Sequence, residues 1–216
     1  MVGEPESLYV HEPLKARVER HDYDRLLMLS DGVFAIAITL LALDLTLPEH
    51  WDGSWTGLMS VTGRPLIGYL FGFALVGVFW FTHRRLFAQL QQVDRTITVL
   101  NLLLLGLVGL TPFIARMIAE AGPTRAMPYY FASLGSVLAT VGLIRLWAFT
   151  RPALLHPQVD RRKWQAELLL IGVGAAGLVA TGAIGIIQHR PIGTTAAVGL
   201  VVLIAVGRLV FRRFGR

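Results

Sequence analysis

The sequence predicts an all-α membrane protein with six transmembrane helices. The chain has 216 residues, of which 54% are hydrophobic and 16% charged, and its mean hydropathy is +0.59. A soluble domain usually carries about 25% charged residues. The apolar residues are gathered in six long runs, each near the roughly 20 residues that a helix needs to cross the hydrocarbon layer. Strands of a membrane β-barrel would instead be shorter and would alternate in polarity, so we favour helices.

The six runs are separated by short segments rich in proline, glycine and charge. Pro65, Pro128 and Pro191 fall at the start of three of the runs, a position that tolerates proline well. Residues 1–24 mix acidic and basic side chains and lack the pattern of a cleavable signal peptide, so we expect a cytosolic N-terminal segment there. Residues 25–212 form the six-helix domain and 213–216 a cytosolic basic tail, with predicted spans at 26–47, 65–82, 97–115, 128–149, 166–188 and 191–211.

The distribution of basic residues predicts the orientation. If the N-terminus is cytosolic, sixteen of the twenty Lys and Arg residues fall on the inner side and only four on the outer side. Cytosolic loops carry the excess of Lys and Arg in membrane proteins, so both termini are predicted to be cytosolic. The count assumes that Arg145 and Arg208 extend from the cytosolic ends of their spans towards the headgroups. We therefore attribute the net charge of +6 to basic residues that orient the protein in the membrane and contact lipid headgroups, and we expect no nucleic-acid partner.

Several functional classes find no support in the sequence. The chain has no cysteine, which removes thiolate metal sites and a cysteine nucleophile. It also lacks paired His/Glu metal motifs and a serine nucleophile elbow. We therefore expect no enzyme activity, no metal site and no cofactor.

Polar side chains near the inner ends of the first three spans are predicted to form one layer. Ionisable groups at membrane depth are costly and are usually paired or functional. Asp31 and Ser30 enter the first span, and their expected partners lie at similar depth in the next two spans; the full predicted layer is Arg25, Ser30, Asp31, Trp80, His83 and Asn101. For His83, an interfacial position, a structural role in this layer and a proton-relay or metal role all stay open.

The first span separates into two faces on a helical wheel. Ile36, Leu40 and Leu43 follow one another at spacings of four and three, which places them on one stripe. Asp31 lies about 140° and Ser30 about 120° from Ile36 around the helix. We expect the polar face to bind the protein's own bundle while the aliphatic stripe points elsewhere. By periodicity alone, packing or lipid contact remains the commoner use of such a stripe.

The motif Arg25-x-x-x-Leu29-Ser30-Asp31 resembles the Arg-x-x-x-Phe-Ser-Asp signature of the transmembrane protein 175 family, which includes a lysosomal potassium channel. The placement of Trp80, His83, Asn101 and Pro112-Phe113 is also similar. Leu29 departs from the family's phenylalanine, and we expect local packing to adjust to it. One motif and six spans match the prokaryotic members, which assemble as homotetramers.

The resemblance implies that the first helix lines a central pore. Ile36 would be the main constriction, with Leu40 and Leu43 as further rings and Thr39 contributing to potassium preference. The implied function is passive conduction of potassium and other monovalent cations through a prokaryotic inner membrane, with lipids and further copies of the chain as partners. The alternative is a proton-permeable channel or a proton-coupled transporter that uses Asp31 and His83.

Overall fold

The structure, a computed structural model, describes residues 14–188, and these residues are almost entirely helical. Two short 3₁₀ turns, Leu41–Asp44 and Pro152–Leu154, follow the first and fifth helices. The helices are α1 (Leu14–Leu40), α2 (Trp55–Phe87), α3 (Arg95–Gly109), α4 (Thr111–Ala121), α5 (Pro123–Thr150) and α6 (Arg161–Gln188).

Five helical stretches within the described residues are long and apolar enough to cross a membrane. They are His21–Leu43, Pro65–Phe87, Arg95–Ala121, Thr124–Thr150 and Arg161–Gln188. Each overlaps one of the first five predicted spans. The sixth predicted span, 191–211, and the tail 213–216 lie outside the described residues, as do the first thirteen residues of the chain. The rest of the N-terminal segment, from Leu14, is the first part of α1.

Helix α2 is longer than the span predicted from Pro65. It begins at Trp55, where the Ser54 hydroxyl accepts a hydrogen bond from the Gly57 amide at 3.0 Å and caps the helix. Pro65 consequently lies inside the helix rather than at its start. The loop between the first two spans is shorter than the sequence suggested, because its second half is helical.

The third predicted span is divided into two helices. Helix α3 ends at Gly109 and α4 starts at Thr111, with Pro112 in its first turn. Proline has no amide hydrogen and clashes with the preceding turn, which explains the interruption. Helix α4 ends at Ala121, and the following Gly122 has a φ of 80°, in the left-handed region that favours glycine.

Among the described helices, α5 and α6 form the most extensive pair. A Cβ atom added to Gly182 would lie 2.6 Å from the Ala132 amide nitrogen, and one added to Gly135 would lie 2.7 Å from the Val179 amide nitrogen. The two backbones therefore meet at glycine positions on both helices, as small residues permit in membrane bundles. Helix α5 also packs on α3 and α4, and α1 packs on α2 and α3.

Candidate functional site

Helix α1 has one buried and one exposed face in the single chain. The buried face carries residues at helical spacing: Leu26, Ser30, Phe34, Ala37 and, at the start of the 3₁₀ turn, Leu41. The stripe identified in the sequence lies on the other side, with Ile36 58% exposed, Leu40 42% and Leu43 68%. Ser30 thus lies on the buried face, as the helical wheel predicts, whereas Asp31 is exposed in the single chain. The aliphatic stripe is not covered by any of the described residues.

Asn101 on α3 connects the buried face of α1 to α2. Its Nδ2 donates to the Ser30 hydroxyl at 2.9 Å, and the Ser30 hydroxyl donates onward to the Leu26 carbonyl at 2.8 Å. The Asn101 Oδ1 lies 2.8 Å from His83 Nε2. Because an amide oxygen only accepts hydrogen bonds, His83 donates through Nε2 in this arrangement. One side chain of α3 therefore links both neighbouring helices.

His83 is enclosed by aromatic rings. Its imidazole stacks on Phe87 with ring centroids 4.4 Å apart, and Phe34 of α1 lies 5.4 Å away in a tilted arrangement. The residue is only 2% exposed. His83 belongs to the hydrogen-bonded set that joins the three helices.

Asp31 is held by a different residue of the same layer. The indole nitrogen of Trp80 on α2 donates to Asp31 Oδ1 at 2.7 Å, while the Arg84 guanidinium lies 5.6 Å from the centre of the Trp80 ring. The carboxylate therefore has a direct donor, and the ring of that donor contacts a cation in turn. Five of the six side chains predicted for the layer lie together in the structure. Arg25 is exposed and contributes no hydrogen bond to this set within residues 14–188.

A second polar link, which the sequence did not predict, joins α3 to α5. Asp94 caps α3 by accepting from the Ile97 amide at 2.8 Å through Oδ1, and its Oδ2 accepts from the Trp147 indole at 2.8 Å. Arg151 stacks over the Trp147 ring at 4.0 Å and lies 3.7 Å from Asp94 Oδ2. The Asp-x-x-Ile pattern was available in the sequence as a capping signal, but its partner on α5 depends on the tertiary fold.

The loops at this end of the bundle are joined by backbone hydrogen bonds. The Gln91 amide donates to the Leu154 carbonyl and the His156 amide to the Gln89 carbonyl, both at 3.0 Å, around an isolated antiparallel bridge. The hydroxyl of Tyr23 on α1 donates to the Phe87 carbonyl at the end of α2. These contacts connect the start of α1, the α2–α3 loop and the α5–α6 loop.

Arg145 differs from the expectation that it extends to the headgroups. Its side chain is 4% exposed and pairs with Glu167 of α6 at 2.6 Å. Its guanidinium also lies 4.6 Å from the centre of the Trp164 ring, and Trp164 donates its indole N–H to the Arg145 carbonyl. The snorkelling assumption is wrong for Arg145 because an acidic partner at the same depth compensates the buried charge. Two opposite charges at the facing ends of the fourth and fifth spans were the sequence signal for this pair.

Acidic and histidine side chains do not converge on a possible metal site. Within the described part of the chain, no three of them are close enough to share an ion.

Comparison with known proteins shows which family has this arrangement of helices and polar side chains. The family model described as "Endosomal/lysosomal potassium channel TMEM175" matches residues 25–112, which contain Ser30, Asp31, Trp80, His83 and Asn101. A potassium channel of Streptomyces collinus is 34% identical over 184 residues, covering 81% of this chain and 86% of the relative. The chain belongs to the TMEM175 family.

Other TMEM175 proteins extend the comparison to sequence and fold. The human member, named as an endosomal/lysosomal proton channel, is 38% identical over 116 residues, which are 49% of this chain and 21% of the human protein. The crystal structure of a potassium-selective homologue from Chamaesiphon minutus superposes with a TM-score of 0.68 at 25% identity, covering 87% of this chain and 98% of that one. The protein is accordingly a multi-pass membrane protein with the TMEM175 channel fold, and its family consists of ion channels rather than enzymes.

Proposed function

We propose that this TMEM175 protein is a passive, potassium-permeable cation channel in which four copies surround a pore lined by α1. The observation that carries the proposal is the division of α1 into an anchored face and an exposed aliphatic face. Ser30 and Phe34 are almost fully buried, whereas Ile36 and Leu43 are more than half exposed. A closed symmetric assembly would bring four such stripes together around one axis.

Ile36, Leu40 and Leu43 would form three successive apolar rings in that assembly. Aliphatic side chains offer no oxygen to replace the hydration shell of a cation. Such a constriction closes by excluding water and conducts only when it becomes wide enough to stay hydrated. The sequence contains no Thr-Val-Gly-Tyr-Gly filter, so discrimination between cations would not come from rings of backbone carbonyls.

Thr39 is the residue beside this stripe with an oxygen suited to a cation. Its hydroxyl donates to the Ile36 carbonyl at 2.9 Å, which orients the hydrogen along the helix and leaves the oxygen lone pairs free to accept. We assign the potassium preference to this hydroxyl, with a modest selectivity ratio because a single dipole per subunit contributes. The Thr39→Val variant would then conduct with a lower K⁺/Na⁺ permeability ratio, measured from reversal potentials in planar bilayers.

The proposed setting is a prokaryotic inner membrane with both termini in the cytosol. The distribution of Lys and Arg supports this orientation. The hydrogen bond from Tyr23 to the Phe87 carbonyl joins α1 to the end of α2, so these two places lie on the same side of the membrane. Lipids and monovalent cations are the remaining proposed partners.

The decisive experiment is potassium flux from liposomes that contain the purified Ile36→Asn variant. A ring of polar side chains keeps the constriction wet, so we expect flux to rise severalfold above that of the unmodified protein. Leu169→Asn serves as the matched control because Leu169 is 70% exposed on α6, away from α1, and we expect no increase. Unchanged flux in Ile36→Asn at equal reconstitution would refute the assigned pore stripe.

Proton conduction is the second candidate, supported by the name of the human relative, a proton channel. If Asp31 and His83 relay protons, His83→Gln should abolish proton flux reported by a dye trapped in the liposomes. If protons instead pass along the stripe of α1, His83→Gln should preserve that flux and Ile36→Asn should raise it. A coupled transporter would, in addition, require a gradient of a second ion, whereas a passive channel would not.

A further inference from the structure

The C-terminal end of α1 tightens from an α-helix into a 3₁₀ turn. Helix α1 ends at Leu40, and the turn Leu41–Asp44 is followed by a hydrogen bond from the Leu45 amide to the Ala42 carbonyl at 3.1 Å. Side chains three residues apart eclipse one another in 3₁₀ geometry, whereas they are offset by about 60° in an α-helix. The turn therefore brings Leu43 into line with Leu40 on the exposed stripe.

Leu41, in the same turn, points the other way and is seated on a glycine of α2. Leu41 is 2% exposed, whereas Leu43 is 68% exposed. A Cβ atom added to Gly72 would lie 3.1 Å from Leu41 Cδ1 and 3.3 Å from Leu41 Cδ2. Both branches of the leucine thus occupy the space that a side chain at position 72 would need.

Helix α2 also holds the chain just beyond the turn. The Thr62 hydroxyl donates to the Thr46 carbonyl at 3.0 Å. Thr62 precedes Gly72 by ten residues, or about 15 Å along the helix. The segment that carries Leu43 is therefore attached to α2 at two separate places, on either side of Leu43 in the chain.

We propose that Gly72 is a positioning residue for the apolar ring formed by Leu43, and that it acts through Leu41. The inference rests on the proposed channel function, in which four copies of Leu43 face one axis. Alanine at position 72 requires Leu41 to withdraw from α2 by a few tenths of an ångström. Because Leu43 lies on the opposite side of the turn, it then moves towards the axis and narrows the ring. A narrower aliphatic constriction is harder to hydrate and conducts less.

Potassium flux from liposomes provides the first test. We expect flux through Gly72→Ala to fall severalfold below that of the unmodified protein. Gly77→Ala is the matched control on the same helix, because nothing lies within 4 Å of a Cβ added there, and it should leave flux unchanged.

A second substitution separates positioning from a general loss of stability. Adding Leu41→Val to Gly72→Ala removes the two Cδ atoms that approach position 72 and should restore flux. A variant that conducts poorly because its fold is weakened would not recover, since Leu41→Val takes away further buried apolar contact.

Cross-linking measures the width of the ring without conduction. The chain has no cysteine, so Leu43→Cys introduces one thiol per subunit. Disulfide formation requires close approach of the two residues, and oxidation with copper phenanthroline should cross-link adjacent subunits faster when Gly72→Ala is also present. The rate should be unchanged by Gly77→Ala and should return to its original value when Leu41→Val is added to Gly72→Ala.

The proposal is overturned if the flux or the cross-linking rate is the same with Gly72→Ala as with Gly77→Ala, or if Leu41→Val restores neither. Ile36→Asn, measured in the same liposomes, identifies which idea has failed. Raised flux in Ile36→Asn together with unchanged flux in Gly72→Ala would overturn the role of Gly72 alone. Unchanged flux in Ile36→Asn would refute the pore stripe and this inference with it.

Discussion

Asn101 on α3 donates a hydrogen bond to Ser30 on α1 at 2.9 Å, and neither side chain is exposed. The same amide accepts from His83 on α2, so one residue joins three helices at one depth. Hydrogen bonds between membrane helices contribute about 0.6–2 kcal/mol each. The Ser-Asp motif thus has a physical explanation: it anchors one face of α1 and leaves the opposite face exposed.

Replacement of Asn101 by leucine should destabilise the bundle. Leucine has a similar volume but leaves the His83 N–H without its acceptor and removes the donor to Ser30, at a cost of about 1–3 kcal/mol. The measurement is the free energy of unfolding in detergent, followed by circular dichroism. Thr98→Val is the control, since the Thr98 hydroxyl bonds only the Asp94 carbonyl one turn earlier, and we expect a change within about 0.5 kcal/mol. Equal losses in the two variants would contradict the linking role of Asn101.

Two glycines of α6 should respond to alanine in opposite directions. At Gly182 a Cβ would meet backbone atoms of α5 at 2.6–2.7 Å, so Gly182→Ala should cost about 1–3 kcal/mol through forced separation of the helices. At Gly172 nothing lies within 4 Å of the added Cβ, and the better helix propensity of alanine should stabilise by up to about 1 kcal/mol. Thermal unfolding of both variants checks the sign. A stabilising Gly182→Ala would mean that α5 and α6 are not in backbone contact.

The Arg145–Glu167 pair should contribute more to the stability of the fold than its position near the helix ends suggests. Glu167→Gln keeps the side-chain shape but leaves the buried guanidinium without its counter-charge, and we expect a loss of about 3 kcal/mol. Glu120→Gln, at an exposed position of α4, is the matched control and should change stability by less than about 0.5 kcal/mol. Urea unfolding of the purified proteins measures both, and similar values would show that Arg145 is not held by Glu167.

Much of the site was predictable because it depends on local periodicity. The spacing of Ile36, Leu40 and Leu43 assigns them to one side of any straight helix, and Ser30 and Asp31 to another. Their partners Trp80, His83 and Asn101 were predicted from matching depth in neighbouring spans. Arg25 illustrates the limit of that reasoning, because equal depth does not determine which way a long side chain turns.

The helix bounds were less predictable than the apolar runs. Ser54 extends α2 beyond the hydrophobic segment because capping and backbone hydrogen bonding, rather than hydropathy, determine where a helix begins. Pro112 divides the third run although its apolar character is continuous, since the interruption arises from a missing amide hydrogen.

The sequence by itself determined the helical membrane class, the first five spans and the two faces of α1, because burial in lipid selects for composition and period. Only the tertiary structure decided that Asp94 binds Trp147, that Arg145 pairs with Glu167 and that the buried Tyr130 hydroxyl has no hydrogen-bond partner within residues 14–188. Those relationships join residues 22–53 positions apart, or depend on the space between three helices, and no local pattern encodes them. The two faces of α1 depend on both the sequence and the tertiary structure. The helical period determines which side chains share a face, and the packing of α2 and α3 determines which of the two faces is buried.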